Sequence, residues 1–120
     1  MISPGSVVNV IDNTGVREVR VIQVYHTSRF GKVGASLIGS VRKVRPDSEH
    51  KKGDVVRGRR VASKVGVSRR SGIRVRFTEN NIVLMNKKGE PLGTRVLNAV
   101  PLDLRKRGQL KIISRAPSVV

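Results

Sequence analysis

The stretch VVNVIDNTGVREVRVIQV, residues 7–24, consists of two valine-rich segments separated by four turn-forming residues. Valine favours extended backbone because its branched side chain packs well on a pleated sheet. Residues 7–11 and 16–24 are therefore predicted to be strands, and the sequence Asp-Asn-Thr-Gly at 12–15 a hairpin turn between them. Within the second segment the apolar residues change phase near Ile22, which predicts a β-bulge or bend.

The same arrangement of short apolar segments and turn residues continues over most of the chain. Further strands are predicted at residues 37–44, 55–61, 73–77 and 82–85. Pro46 follows the first of these, and proline lacks the N–H that a strand ladder requires. Short strands punctuated by Gly, Asn, Asp, Ser and Pro are typical of a mostly β domain, and here they predict a small β-barrel.

Two of these segments alternate clearly enough to predict which side chains face the core, since strand side chains point alternately to opposite faces. The residues expected to point inward are Val55, Val61, Ile73, Val75 and Phe77. The residues expected to point outward are Arg57, Arg59, Arg60, Arg74 and Arg76. One face of each strand would then be apolar and the other cationic.

The pattern changes beyond residue 100. Three leucines, with an acid near the start and three bases near the end, predict a short helix whose dipole these charges complement. The residues concerned are Leu102, Asp103, Leu104, Arg105, Lys106, Arg107 and Leu110, with Gly108 as the stop. Residues 111–116 fit either a further helical turn or a strand. We predict one domain at 1–120, with a barrel over about 1–98 and a helical appendage over about 99–120.

Composition points to a polyanionic partner. The chain has 120 residues, enough for one modest hydrophobic core. Its 25 Lys and Arg outnumber 8 Asp and Glu, which gives a net charge of +17. A charge of that size repels itself unless a polyanion such as nucleic acid neutralises it. Cysteine is absent, which excludes disulfides and thiolate zinc sites.

A membrane partner is not expected. No apolar run approaches the roughly 20 residues needed to span a bilayer, and no amphipathic helix with large apolar residues is visible. The start, Met-Ile-Ser-Pro-Gly, lacks the charged and apolar regions of a secretory signal.

Catalysis is not expected either, and we predict no catalytic residue, no cofactor and no metal. The two histidines, His26 and His50, have no neighbouring nucleophile and acid at a spacing that suggests a triad. Asp12, Asp54 and Asp103 fit turn or cap positions instead. No Gly-x-Gly-x-x-Gly motif precedes a predicted helix, so the sequence lacks the usual motif of a nucleotide-binding site.

The distribution of charge is the most informative feature. Residues 55–78 contain no acid and eight bases, and residues 104–120 contain no acid and five bases. Arginine predominates, which favours bidentate contacts to phosphate. The candidate RNA-binding residues are Arg20, Arg42, Lys43, Lys51, Lys52, Arg57, Arg59, Arg60, Lys64, Arg69, Arg70, Arg74, Arg76, Arg105, Lys106 and Arg107.

The scarcity of aromatic residues narrows the kind of RNA. Proteins that read single strands stack successive bases on exposed aromatic rings, yet this chain has only Tyr25, Phe30 and Phe77. Recognition of folded RNA by its shape and phosphate positions is therefore favoured over base-by-base reading.

Four motifs in order along the chain carry a resemblance to a known family. They are NVIDNTGV at 9–16, KKGDV at 51–55, Ser71-Gly72 with Phe77, Asn80, Val83, Leu84 and EPLGTR at 90–95, and Leu104-Arg105 with KIIS at 111–114 and Ala116-Pro117. On these the chain resembles the universal large-subunit ribosomal protein family known as uL-fourteen, over nearly its whole length.

The resemblance implies a five-stranded β-barrel with a projecting hairpin and a short helical C-terminal region, on the intersubunit face of the large ribosomal subunit. It implies a structural protein that binds large-subunit rRNA, contacts neighbouring ribosomal proteins and contributes to bridges with small-subunit rRNA. Bacterial and organellar members are also docked by the ribosomal silencing factor, which blocks subunit joining. The positions that match this docking surface are Thr94, Arg95 and Lys111.

The chain departs from the family pattern at two places. Residues 58–62 read Gly-Arg-Arg-Val-Ala where the family has an apolar run ending in Arg, and Arg115 stands where a Leu is usual. Extra arginines suit an altered rRNA, so the mitochondrial matrix is favoured over the chloroplast stroma and the bacterial cytoplasm. The alternatives to a ribosomal protein are a free-standing RNA-binding or RNA-chaperone barrel and, third, a small hydrolase.

Overall fold

The computed structural model describes residues 4–25, 34–64, 67–68, 70–106 and 110–120, with the backbone alone at 67–68 and 105–106. The elements are β1 (Val7–Val10), β2 (Val16–Tyr25), β3 (Ser36–Val44), β4 (Val55–Ala62), β5 (Val67–Ser68), β6 (Arg74–Val75), β7 (Asn81–Met85), α1 (Asp103–Lys106) and α2 (Leu110–Arg115). The prediction of a mostly β fold is confirmed.

Five of the strands close into a barrel in the order β1, β2, β3, β4, β7. Neighbouring strands are antiparallel except β1 and β7, which run parallel and close the barrel with Asn9 opposite Asn81. The predicted first hairpin is confirmed, with Gly15 at φ +93° after the turn. The predicted bulge is confirmed as a register shift between Val21 and Gln23.

Asp12 fixes this first turn to the barrel wall. Its buried carboxylate accepts hydrogen bonds from the Thr14 hydroxyl at 2.6 Å and from the Thr14 N–H at 3.2 Å. The other carboxylate oxygen accepts the N–H of Leu84 at 3.0 Å. The predicted turn role of Asp12 is confirmed, and that residue additionally joins the turn to β7.

Two hydrophobic cores share strand β7, all five residues of which are buried. Ile82 and Leu84 point into the barrel, where they pack with Val8, Val16, Val19, Val21, Leu37, Val41 and Val56. Val83 and Met85 point outward and pack with Ile11, Val61, Val96, Val100, Leu104 and Ile112. The C-terminal region therefore covers the outer face of β7, and apolar area buried on both faces holds it there.

The C-terminal region resolves the alternative left open for 111–116, because α2 is a helix. The preceding helix α1 begins at the predicted Asp103, and of the three leucines only Leu104 is buried, whereas Leu102 and Leu110 are exposed. Gly108, the predicted stop, lies outside the described residues. The division of the chain at about residue 98 stays a prediction.

Strand β4 corrects the predicted orientation. Val55 is exposed, and the inward positions are Val56, Gly58 and Arg60, since β4 pairs with β7 with Gly58 opposite Leu84. A glycine and an arginine occupy two of the inward positions. The sequence of β4 therefore does not show the alternation of apolar and polar residues that would predict its inward face. Val61 is buried as predicted, but in the outer core, because a register shift follows Arg60.

The projecting hairpin is a two-stranded sheet of β5 and β6, separate from the barrel. Arg74 and Arg76 are exposed as predicted, but Ile73 is exposed and Val75 and Phe77 are only half-buried. The expected inward position of Ile73 is wrong because a two-stranded sheet has no second layer on which to bury its apolar face.

Arg60, predicted to point outward, is instead enclosed at one end of the barrel with 3% of its surface exposed. Its Nη2 donates to the Ser63 hydroxyl at 2.6 Å and to Asn80 Oδ1 at 3.4 Å, while its Nε has no partner among the described residues. Burial lowers the pKa of this guanidinium. A desolvated cation without an acidic partner stabilises the fold poorly.

Replacing Arg60 by methionine is expected to raise the free energy of unfolding by about 1 kcal/mol, because the variant fills the same space without a buried charge. Arg60→Ala is expected to lower it by about 2 kcal/mol, since it leaves a cavity. Urea unfolding of both variants measures the difference. Equal destabilisation by Met and Ala would instead mean that the guanidinium hydrogen bonds stabilise the barrel.

Candidate nucleic-acid interface

The outer surfaces of β2, β3 and β4 form one continuous part of the barrel wall, because β3 pairs with both of the other strands. Strand β3 alternates regularly, with Leu37, Gly39 and Val41 buried in the wall. Ser36, Ile38, Ser40 and Arg42 occupy the alternate positions and therefore point outward. Ser36 and Ser40 are small, so cations opposite them on the neighbouring strands stand clear of the surface.

Strand register places arginines on both sides of β3. Arg20 of β2 lies opposite Ser40, and on β4 Arg57 lies opposite Ile38 and Arg59 opposite Ser36. Directly opposed residues of neighbouring strands share a face. The outer surface of three strands therefore carries four arginines, Arg20, Arg42, Arg57 and Arg59, which we call the basic face.

The turn between β3 and β4 extends the basic face with two lysines. Lys51 and Lys52 are exposed. The turn is tied to β3 because the Gly53 N–H donates to the Val41 carbonyl at 2.9 Å, and Asp54 Oδ2 accepts the Lys51 N–H at 2.8 Å. This confirms the predicted turn role of Asp54. The two ammonium groups lie on a rigid turn beside Arg42.

The hairpin and its flanks carry a second group of exposed cations, Lys64, Arg70, Arg74 and Arg76. Lys64 is held at the barrel end by its N–H, which donates to Asn80 Oδ1 at 3.1 Å. Arg69 and Arg107 lie outside the described residues, and at Arg105 and Lys106 only the backbone is described, within α1.

Carboxylates neutralise little of this charge. The Nζ of Lys43, a predicted RNA contact, lies 3.8 Å from Glu18 Oε2, and Lys111 Nζ lies 2.7 Å from Glu90 Oε1. Asp12 and Asp54 are engaged by backbone N–H groups instead. With 25 bases against 8 acids, the surface has a large cationic excess that a polyanion can neutralise.

Four further exposed cations, Arg17, Arg45, Lys87 and Lys88, are absent from the predicted set. Their exposure could not be read from sequence, but their charge alone was a usable signal. Lys87 lines the cavity that contains Arg57 and Arg59.

Within the described ranges, no three His, Cys, Asp or Glu side chains gather into a group that could hold a metal ion. His50 is half-buried, and its backbone N–H donates to the Ser48 hydroxyl at 3.2 Å, while His26 lies outside those ranges. In the same part of the chain, no helix has the length and apolar character needed to cross a membrane.

A separate exposed surface contains Thr94, Arg95 and Lys111, which we call the loop-helix surface. Asn13 Oδ1 accepts the backbone N–H of Thr94 at 2.9 Å and of Arg95 at 3.3 Å. The Lys111 ammonium donates to Glu90 Oε1 at 2.7 Å, and this contact lowers the pKa of the Glu90 carboxyl.

The loop of the loop-helix surface is also tied to α2. Arg115 Nη1 donates to the carbonyls of Pro91 and Gly93 at 3.1 and 2.8 Å. The three exposed side chains are therefore presented by a loop and a helix that are hydrogen-bonded to each other.

Comparison with known families gives a match over the whole chain. A family model described as Ribosomal protein L14p/L23e matches residues 1–120. The matched range includes the barrel, the hairpin and both C-terminal helices.

Proposed function

This chain belongs to the ribosomal protein L14p/L23e family, and from that premise we propose that it binds large-subunit rRNA through the basic face. The family is a structural one of the large ribosomal subunit, so the chain is a structural ribosomal protein. The basic face is the observation that carries the rRNA proposal, because its four arginines point outward from one wall of a closed barrel.

The barrel wall suits recognition of folded RNA. Strand pairing fixes the backbone positions of Arg20, Arg57 and Arg59, so no backbone entropy is lost when their guanidinium groups contact phosphates. Ser36 and Ser40 between them leave room for a phosphate backbone to approach. Planar guanidinium groups can bind phosphate oxygens in pairs, and the positions of these groups select RNA by shape.

The proposed rRNA contacts omit one predicted residue, because the enclosed Arg60 does not reach the surface. The described ones are Arg20, Arg42, Lys43, Lys51, Lys52, Arg57, Arg59, Lys64, Arg70, Arg74 and Arg76. Arg69, Arg105, Lys106 and Arg107 complete the set from the sequence alone.

Sedimentation and RNA binding test this function. We expect the native protein to sediment with large ribosomal subunits through a sucrose gradient at moderate salt. The purified chain should bind large-subunit rRNA with an affinity that falls steeply as salt rises, since each neutralised phosphate contributes about 0.7–0.9 to the log–log slope. A protein that stays at the top of the gradient as a monomer would instead be a free-standing RNA-binding barrel.

We further propose contributions to bridges with small-subunit rRNA and contacts with neighbouring ribosomal proteins. The support is that the cations form two groups, one on the barrel wall and one on the hairpin with Arg70, Arg74 and Arg76. Two groups allow one chain to contact two RNAs. Crosslinks from purified ribosomes would identify both partners.

The loop-helix surface is proposed as the docking site of the ribosomal silencing factor. We expect Arg95→Glu to weaken binding of the silencing factor to large subunits by about tenfold or more, because a reversed charge at an interface repels what the arginine attracted. Arg45→Glu, also an exposed arginine, is the matched control and should bind normally. Normal binding by the Arg95 variant in a pull-down would remove this surface from the docking site.

A mitochondrial compartment is proposed on the extra arginines, but two of them are engaged away from the basic face. Arg60 is enclosed in the barrel, and Arg115 donates to two carbonyls of the 90–95 segment. Arg59 is thus the one of the three whose position on the basic face supports an altered RNA partner. Cell fractionation with ribosomal markers tests the compartment.

A further inference from the structure

A notch lies in the basic face at its Tyr25 end. Register across three strands places Tyr25 opposite Ser36, and Ser36 opposite Arg59, so all three side chains share the outer face. The middle residue is small and the outer two are large. Tyr25 is 51% exposed, and Tyr25 and Arg59 both line this notch.

The width of the notch follows from sheet geometry. Two strand spacings separate Tyr25 from Arg59, which is about 10 Å. A flat ring midway between them would lie about 5 Å from each side, within the roughly 4.5–7 Å of stacked aromatic rings and the roughly 6 Å of cation–π contacts. The notch is therefore wide enough for one planar group.

A cavity of about 130 Å³ occupies this position, lined by Tyr25, Ser36, Arg57, Arg59, Asn86 and Lys87 among others. Cavities that enclose drug-sized molecules have about 300–1,000 Å³. This one fits a single ring system rather than a whole metabolite. Arg57 and Lys87 at its rim can bind an anion attached to that ring.

Arg59 is held in place at the side of the notch. Its Nη1 donates to the Gly34 carbonyl at 3.0 Å, which fixes the guanidinium beside Ser36. Its Nε is buried and has no hydrogen-bond partner among the described residues. A buried donor without a partner costs free energy.

We propose that this notch binds one unpaired nucleotide of RNA, with the base stacked between Tyr25 and Arg59 and its phosphate held by Arg57 and Lys87. The proposal rests on the rRNA-binding function above and adds a base contact to it. A nucleotide combines a planar ring, which matches the width of the notch, with a phosphate, which matches its cationic rim. One such site is compatible with recognition of folded RNA, whose bulges and loops expose single bases.

Replacing Tyr25 by alanine tests the notch, with large-subunit rRNA as the probe. We expect the dissociation constant to rise about 5- to 150-fold, the range for losing one base–aromatic stack, with no change in the salt slope because tyrosine carries no charge. Tyr25→Phe should bind as wild type. Ile22→Ala is the matched control, since Ile22 lies on the same strand with the same 51% exposure and does not line the cavity.

Intrinsic fluorescence gives an independent measurement, because Tyr25 is the sole tyrosine and tryptophan is absent. A short unstructured RNA should quench its emission, whereas inorganic polyphosphate bound to the same surface should not. Equal affinities of Tyr25→Ala and Ile22→Ala, or quenching by polyphosphate, would overturn the notch proposal while leaving rRNA binding intact. Absence of rRNA binding by the wild-type chain would instead overturn the proposed function.

Discussion

Replacing Arg20, Arg42 and Arg57 together by glutamate is expected to lower the affinity for large-subunit rRNA by about 100-fold or more at 0.15 M salt. Losing three phosphate contacts reduces the slope of log affinity against log salt by about 2–3. At 0.15 M that reduction alone corresponds to about two orders of magnitude, and the added repulsion of three carboxylates increases it. Filter binding across a salt series measures both quantities.

The control for this variant carries the same change of net charge elsewhere. Lys88, Arg95 and Lys111 are also exposed and lie outside the basic face, in the turn after β7, the following loop and α2. Their replacement by glutamate should reduce affinity much less. If both triple variants lost the same affinity, the attraction would come from the total charge of the chain and the basic face would have no special role.

The sequence was informative about the fold where one side of a strand is apolar and the other polar. Leu37 and Val41 predicted β3, and the phase change near Ile22 predicted the bulge in β2. Prediction was wrong at β4, because Gly58 and Arg60 occupy inward positions that apolar residues usually fill. It was wrong at Ile73 for the opposite reason, since alternation was present without a second layer to cover it.

The candidate site was only partly predictable from the sequence. The cationic residues themselves could be read directly, and Arg57 and Arg59 were expected to point outward. The residues that lie beside them could not be predicted. Tyr25, Ser36 and Arg59 are neighbours only because of the register of three strands that are distant in sequence. Likewise, the enclosure of Arg60 depends on which face of β4 meets Ile82, and no local pattern specifies that choice.

Gly39→Ala is expected to lower the free energy of unfolding by about 3 kcal/mol, at the upper end of what overpacking a core costs. A Cβ atom at Gly39 would collide with Val19 Cγ1 and lie 2.6 Å from the Arg20 carbonyl oxygen. Val19 is fully buried in the barrel core, and the carbonyl belongs to the backbone of β2. Neither neighbour can move without shifting the strand that carries Arg20.

Gly58→Ala is the matched comparison, because Gly58 also lies in the barrel wall with ordinary backbone angles. Its Cβ would lie 3.0 Å from Ile82 Cδ1, the far end of a flexible side chain, so we expect a loss of only about 1 kcal/mol. Urea unfolding of both variants measures the difference. Losses within about 0.5 kcal/mol of each other would show that β2 can recede from β3, and the fixed spacing of the basic face would then lose its physical basis.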